Sequence, residues 1–389
     1  MWKKLIYIFG TLVLIILLFI FFFVGSMVDK SMNVCLHIDD ADYKIRSDVK
    51  SFHNTLSIAD LHSDLLLWDR SINKRGNSGH TDIPRLIEGN FALQVFDAVI
   101  KTPRGQNYDS NTGDTDNITS LAIANRWPVR TWTSLCERAI YQSAKLKKAA
   151  EQSNGQLQVI TTKKELQSLL LARGENKELL GGLLSIEGLH ALEGELSNLS
   201  RLYDAGYRMM GPVHFFDNKV GGSSAGAEQY GLTDFGREVI AEMEQKKIII
   251  DLAHASPTLI DDILDITNRP LVVSHTGVKG TYESPRNLSD NHIKRIAERG
   301  GLIGIGFWDG AVGSPDIENI VKAIRYTIDL TSLDHVALGS DWDGGTTTYF
   351  DAAHISILTQ ALMDANFSNE EIRKVMGLNQ LRFFLENLP

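Results

Sequence analysis

An imidazole and a carboxylate stand two residues apart, His62 and Asp64, inside the otherwise apolar run Ile58-Ala59-Asp60-Leu61-His62-Ser63-Asp64-Leu65-Leu66-Leu67-Trp68. Side chains i and i+2 of a strand share a face, so this pair could grip a metal ion from one strand end. Alone, so short a pattern is more often a surface pair or a hydrogen-bonded turn. Recurrence changes that reading. Glu187 ends the apolar run 180–187, His214 ends 207–214, His254 ends 247–254, His275 ends 270–275 and Asp341 ends 335–341. Gathering that many ionisable groups in one buried place without a cation would be costly.

Imidazoles and carboxylates without thiolates suit zinc or a similar divalent ion. Five donors exceed what one tetrahedral ion needs, and a carboxylate among them can bridge two. The economical arrangement puts His62, Asp64 and Glu187 on one ion and Glu187, His254 and His275 on the other. Two ions roughly 3.5 to 4 Å apart could share a water of lowered pKa and polarise a carbonyl, which is the chemistry of hydrolysis. His37, His53, His80, His190, His292, His335 and His354 lack the strand-end placement and read as structural.

Elements must bring these residues to one place. Strand-like runs fall at 56–62, 91–100, 180–187, 207–214, 247–254, 270–275, 301–308 and 335–341. Helical patterns separate most of them, at 128–151, 163–172, 196–205, 233–245, 257–266, 290–298 and 317–330. Alternation of this kind predicts a parallel sheet with crossover helices, and eight repeats predict a (β/α)₈ TIM barrel, whose strand C-termini converge on one mouth. The polar stretch 101–127 reads as a long loop at that mouth.

The chain has 389 residues, 43% hydrophobic and 22% charged, with formal net charge −9. That composition supports a sizeable core, and the acidic balance excludes a global basic field for nucleic acid. Lys3 and Lys4 precede an uncharged, apolar run over 5–28. Its length matches a bilayer, and the flanking charges place the N-terminus in the cytoplasm and the rest outside it, in the periplasm or extracellular space. The expected organisation is a cytoplasmic stub and transmembrane anchor over 1–28, a juxtamembrane spacer over 29–52, and a catalytic barrel over 53–389. The lipid bilayer is then one partner. With only Cys35 and Cys136, the fold cannot depend on a disulfide framework.

The sequence resembles the membrane dipeptidase (renal dipeptidase-like) family. The matching stretches are Asp60-Leu61-His62-Ser63-Asp64, Ser185-Ile186-Glu187-Gly188, Val213-His214-Phe215-Phe216-Asp217-Asn218, Ile250-Asp251-Leu252-Ala253-His254, Val273-Ser274-His275, Pro285-Arg286-Asn287 and Gly339-Ser340-Asp341-Trp342-Asp343-Gly344. The resemblance implies a dipeptidase holding two Zn²⁺ on the ligand set above, with Glu187 as bridge and a metal-bridging hydroxide as nucleophile. It implies that His214 hydrogen-bonds the substrate carbonyl, that Arg286 clamps the terminal carboxylate, and that Asp341 receives the free amino group and shuttles a proton to the leaving amine. Dipeptides, including those with a C-terminal D-residue, are the implied substrates, and a homodimer is one arrangement open to the chain. The stretches 217–222 and 101–127 depart from the mammalian members, which leaves the preferred side chains undetermined. Two other readings stand beside this one: another binuclear amidohydrolase-type hydrolase, such as a lactonase or amidase, and a catalytically silent, membrane-tethered binding protein. The fourth strand run, 208–214, lacks the lysine with which many binuclear amidohydrolases bridge their ions.

Overall fold

The computed structural model describes residues 2–37 and 44–389; the middle of the expected spacer, residues 38–43, lies outside the described residues. The strands are β1 (Val34–His37), β2 (Ile58–Ser63), β3 (Phe91–Val99), β4 (Leu157–Ile160), β5 (Leu180–Glu187), β6 (Tyr207–Gly211), β7 (Ile249–Ile250), β8 (Val272–Thr276), β9 (Leu302–Ile305), β10 (Val336–Leu338) and β11 (Thr347–Phe350). Each of the eight apolar runs overlaps one of them, while β1, β4 and β11 are additional. Crossover helices follow the expected pattern, with one division. The run 128–151 becomes Arg130–Thr133 and Leu135–Gln152, because Ser134 turns extended and its hydroxyl accepts a hydrogen bond from Glu137 N.

The sheet corrects the expectation of a closed eight-stranded barrel. Six strands curl into a parallel half-barrel in the order β2-β3-β5-β6-β7, with β4 paired to β5, and three strands form a separate parallel sheet in the order β10-β9-β8. Among the described residues the backbones of the two sheets are bridged at Asp251↔Val272 and Ser63↔Trp342. Side-chain carboxylates occupy both seams. Asp251 Oδ1 accepts from Ser274 N at 2.8 Å and Ala253 N at 3.0 Å. At the other seam, Asp60 Oδ1 accepts from Ser340 N at 2.8 Å, and Asp60 Oδ2 accepts from Ser340 Oγ at 2.8 Å and Gln94 Nε2 at 2.7 Å. A carboxylate that takes the amide of the facing strand replaces a ladder hydrogen bond and satisfies the buried donor. Within the curl, Leu61, Val95, Leu183 and Met209 share a buried cluster with Leu381, Phe383 and Phe384 of the helix Asn379–Asn387.

The N-terminal expectation is also corrected. Among the described residues no helix is long and apolar enough to cross a membrane. The run expected to span is divided into an α-helix Trp2–Phe19, a π-helical segment Ile20–Val24 and a second α-helix Gly25–Met32. Its C-terminal part is occupied by the catalytic unit. Gly25 packs so closely on Asn125 that an added Cβ would lie 1.8 Å from Asn125 Oδ1, and buried Asp29 pairs with Arg70 Nε at 2.8 Å. The bilayer partnership and the transmembrane anchor rested on that span.

Candidate metal centre

The C-terminal ends of the strands deliver the ionisable side chains. His62 lies in β2 and Asp64 one residue beyond it; Glu187 closes β5, and His275 lies in β8. His214, His254 and Asp341 follow β6, β7 and β10 by a few residues. Two of these positions use left-handed backbone, His254 with φ +65° and Asp341 with φ +58°. Such conformations are uncommon for non-glycine residues and concentrate where a side chain must be aimed.

Glu187 is the hub. Its Oε1 lies 3.6 Å from His62 Nε2, 3.2 Å from His254 Nε2 and 3.4 Å from His275 Nε2, while its Oε2 lies 3.0 Å from His214 Nε2. His62 Nε2 is 3.4 Å from Asp64 Oδ1 and 3.9 Å from Asp341 Oδ1, and the two imidazole nitrogens His254 Nε2 and His275 Nε2 are 3.0 Å apart. Three groups of donors therefore have atoms within 4.8 Å of one another: His62 with Glu187 and His275, Glu187 with His214 and His254, and His62 with Asp64 and Asp341. All the predicted ligands meet in one place. The grouping is less tidy than the sequence suggested, because His214 and Asp341 also stand within ligand distance.

The electrostatics of the cluster call for a cation. Burial works against a charged His62, but Asp64, Glu187 and Asp97 together outweigh it and raise its pKa well above the ordinary histidine value. Burial, reinforced by Asp64, raises Glu187 well above the carboxylate range, and the same two causes push Asp341 up to about 7 against His62 and Arg286. Burial also drives His214, His254 and His275 well below the usual imidazole value, with neighbouring positive groups adding to it. These are neutral donors beside carboxylates that resist ionising. Buried His62 Nε2 and Asp64 Oδ1 have no hydrogen-bond partner. Facing Nε2 atoms about 3 Å apart suit two ligands of one ion at about 2.0 to 2.1 Å each. The residues fit a divalent metal.

The cluster floors a cavity of about 680 Å³, into which Arg286, Trp308 and Tyr108 also project. Arg286 is buried, donates from Nη2 to His275 O at 2.8 Å, and leaves Nε without a partner. Trp308 Nε1 donates to Tyr108 Oη at 2.9 Å. The expected loop 101–127 is thus a wall of the cavity: it supplies Tyr108, and its helix Asn117–Ala124 supplies Ile118 and Leu121.

Sequence reading missed several residues here. Asp97 Oδ2 stands 3.4 Å from His62 Nδ1, behind the face that meets Glu187. Its signal was an acid two residues after Val95 on an apolar strand, hence on the same face. Ser274 Oγ lies 2.8 Å from His275 Nδ1 and orients the second ring.

A curled parallel sheet that gathers histidines and carboxylates at its strand ends defines a metallohydrolase of the dipeptidase fold. The chain belongs to the membrane dipeptidase family (peptidase family M19), which matches residues 46–387. It is 26% identical over 327 residues to an uncharacterised dipeptidase, C965.12, of Schizosaccharomyces pombe, covering 79% of this chain and 72% of that protein. Among solved structures it resembles dipeptidase AC, a metallopeptidase of family M19, with TM-score 0.70 and 25% identity over 86% of this chain and 99% of that one. It also resembles a metallopeptidase from Rhodobacter sphaeroides liganded with a phosphinate mimic of the dipeptide L-Ala-D-Ala, with TM-score 0.71 and 24% identity over 86% of this chain and 100% of that one.

Proposed function

We propose that this metallo-dipeptidase is a two-zinc enzyme that cleaves dipeptides, including those with a C-terminal D-residue. The observation that carries the reading is Glu187, whose Oε1 lies within 3.6 Å of an imidazole nitrogen of His62, His254 and His275 at once. In this assignment His62 and Asp64 would hold one ion and His254 and His275 the second, with Glu187 the carboxylate that could serve both. The ions, when held there, supply a Lewis acid for the scissile carbonyl and an acidified water as nucleophile.

The chain's own residues do the remaining work. Arg286 lines the cavity with a buried guanidinium, a shape suited to the planar terminal carboxylate of a dipeptide. His214 borders Glu187 and donates to the carbonyl oxygen as charge develops on it. Asp341, which lines the cavity beside His62 and Asp64, is placed to bind the free amino group and to pass a proton to the departing amine. Reading both termini at once limits the substrate to two residues. The D-residue preference draws on the Rhodobacter neighbour, whose bound mimic has that stereochemistry. The test is an assay of purified protein on paired L,L and L,D dipeptides, with and without chelator. Hydrolysis that chelation abolishes and zinc restores supports the reading; hydrolysis indifferent to chelator, or none, removes it.

A further inference from the structure

We infer that the segment formed by the helix Gly25–Met32 and strand β1 is a fixed wall of the substrate cavity that limits the size of the amino-terminal side chain of a dipeptide. The inference rests on the dipeptidase reading, which places the substrate's amino end at Asp341. Val24, Val28 and Met32 are spaced four apart and so form one stripe along the helical run. All three line the cavity that holds Asp64, Asp341 and the metal cluster. Met32 marks which side of the cavity they cover, because a Cβ added to Gly345, four residues beyond Asp341, would meet Met32 Cε at 2.8 Å. Arg286, by contrast, is bonded to the backbone of His275.

The wall is latched. Asp29 is 2% exposed and pairs with Arg70 Nε at 2.8 Å, and Arg70 Nη2 continues to Asp343 Oδ1 at 2.6 Å. Asn33 Nδ2 donates to Asp29 Oδ1 at 2.7 Å, and Asn33 Oδ1 accepts from Gly345 N at 2.9 Å. Val34 N then donates to Thr346 O at 3.1 Å, and β1 runs parallel to β11 from Val34 opposite Thr347. Apart from the Asn33–Asp29 bond within the segment, these contacts end on Arg70 or on residues 343–350, the stretch that follows Asp341. A carboxylate buried with its partner in this way would be left uncompensated by any other placement of the helix close to the surface, so the stripe is held against the cavity. Residues 25–37 precede the stretch that matches the family, which begins at residue 46. The wall therefore lies outside the matched catalytic unit.

Selectivity is the readout. kcat/KM is measured for X-Ala dipeptides with X from Gly to Trp, and for the Ala-X series, in the full chain and in the variants Val28→Ala, Met32→Ala and Met32→Trp. Met32 is 39% exposed, so substitution there removes little packing. The alanine variants should raise the Trp-Ala to Gly-Ala ratio on the order of tenfold, Met32→Trp should lower it, and the Ala-X series should change by less than about twofold. Ratios unmoved in both directions, or an equal shift in the Ala-X series, overturn the wall while leaving the dipeptidase reading intact. Failure of the metal-loaded wild-type protein to cleave any dipeptide removes both.

Discussion

At the scale of single residues, Arg286 carries the most exposed assignment. A buried guanidinium whose Nε has no partner is costly unless something polar completes it. Arg286→Ala should raise KM for dipeptides by on the order of a hundredfold, about 3 kcal/mol, and by far less for C-terminally amidated analogues. Steady-state kinetics on matched pairs checks this, and equal losses on both would take Arg286 away from the carboxylate. His53 offers a prediction about stability. Burial lowers its pKa to about 4, while the unfolded chain retains the ordinary value of about 6.5. Between those values the unfolded state binds the extra proton, so stability falls as pH drops through the window, by about 1.4 kcal/mol per pH unit. Urea denaturation of wild type and His53→Gln across pH 6.5 to 4 should show a steeper loss in the wild type; parallel profiles would contradict it.

Among the elements, the seams of the sheet are the least expected feature. Asp60 receives Ser340 N, Ser340 Oγ and Gln94 Nε2 where a backbone ladder would otherwise join the sheets. Asp60→Ala should cost about 3 kcal/mol or more in a urea unfolding curve, because several buried donors lose their acceptor together. Asp60→Asn keeps an acceptor oxygen and should cost clearly less; two variants both within about 0.5 kcal/mol of wild type would show that the seam needs no carboxylate. This also explains what was legible in the sequence. Apolar runs ending in His62, Glu187 or His275 announce strand and site at once, because burial on both faces leaves ionisable residues few other reasons to be there. The seam was not legible, since Asp60 and Asp251 look like further site acids until their partners Ser340 and Ser274 are placed. Strand β4, with Gln158 exposed and Val159 only partly buried, carries too little apolar pattern to stand out from its neighbours. The run 5–28 has the composition of a span, and composition says nothing of Asp29 pairing with Arg70 across the fold.

For the molecule as a whole, the centre sets a balance between charge and burial. A chain of formal charge −9 places Asp64, Asp97, Glu187 and Asp341 around one buried imidazole, His62, which cannot neutralise them alone. Metal binding should therefore stabilise the fold as well as equip it, by mass action on the native state. Chelated protein is expected to melt below the metal-loaded form, and an unchanged Tm would mean that the acids are accommodated without a cation. The joining role of Glu187 is tested most directly by titrating metal-free protein with zinc while measuring kcat/KM for a dipeptide against zinc bound per chain. The arrangement predicts activity that climbs to a plateau at about two ions per chain. A plateau at one ion, or activity that does not depend on bound metal, would contradict it.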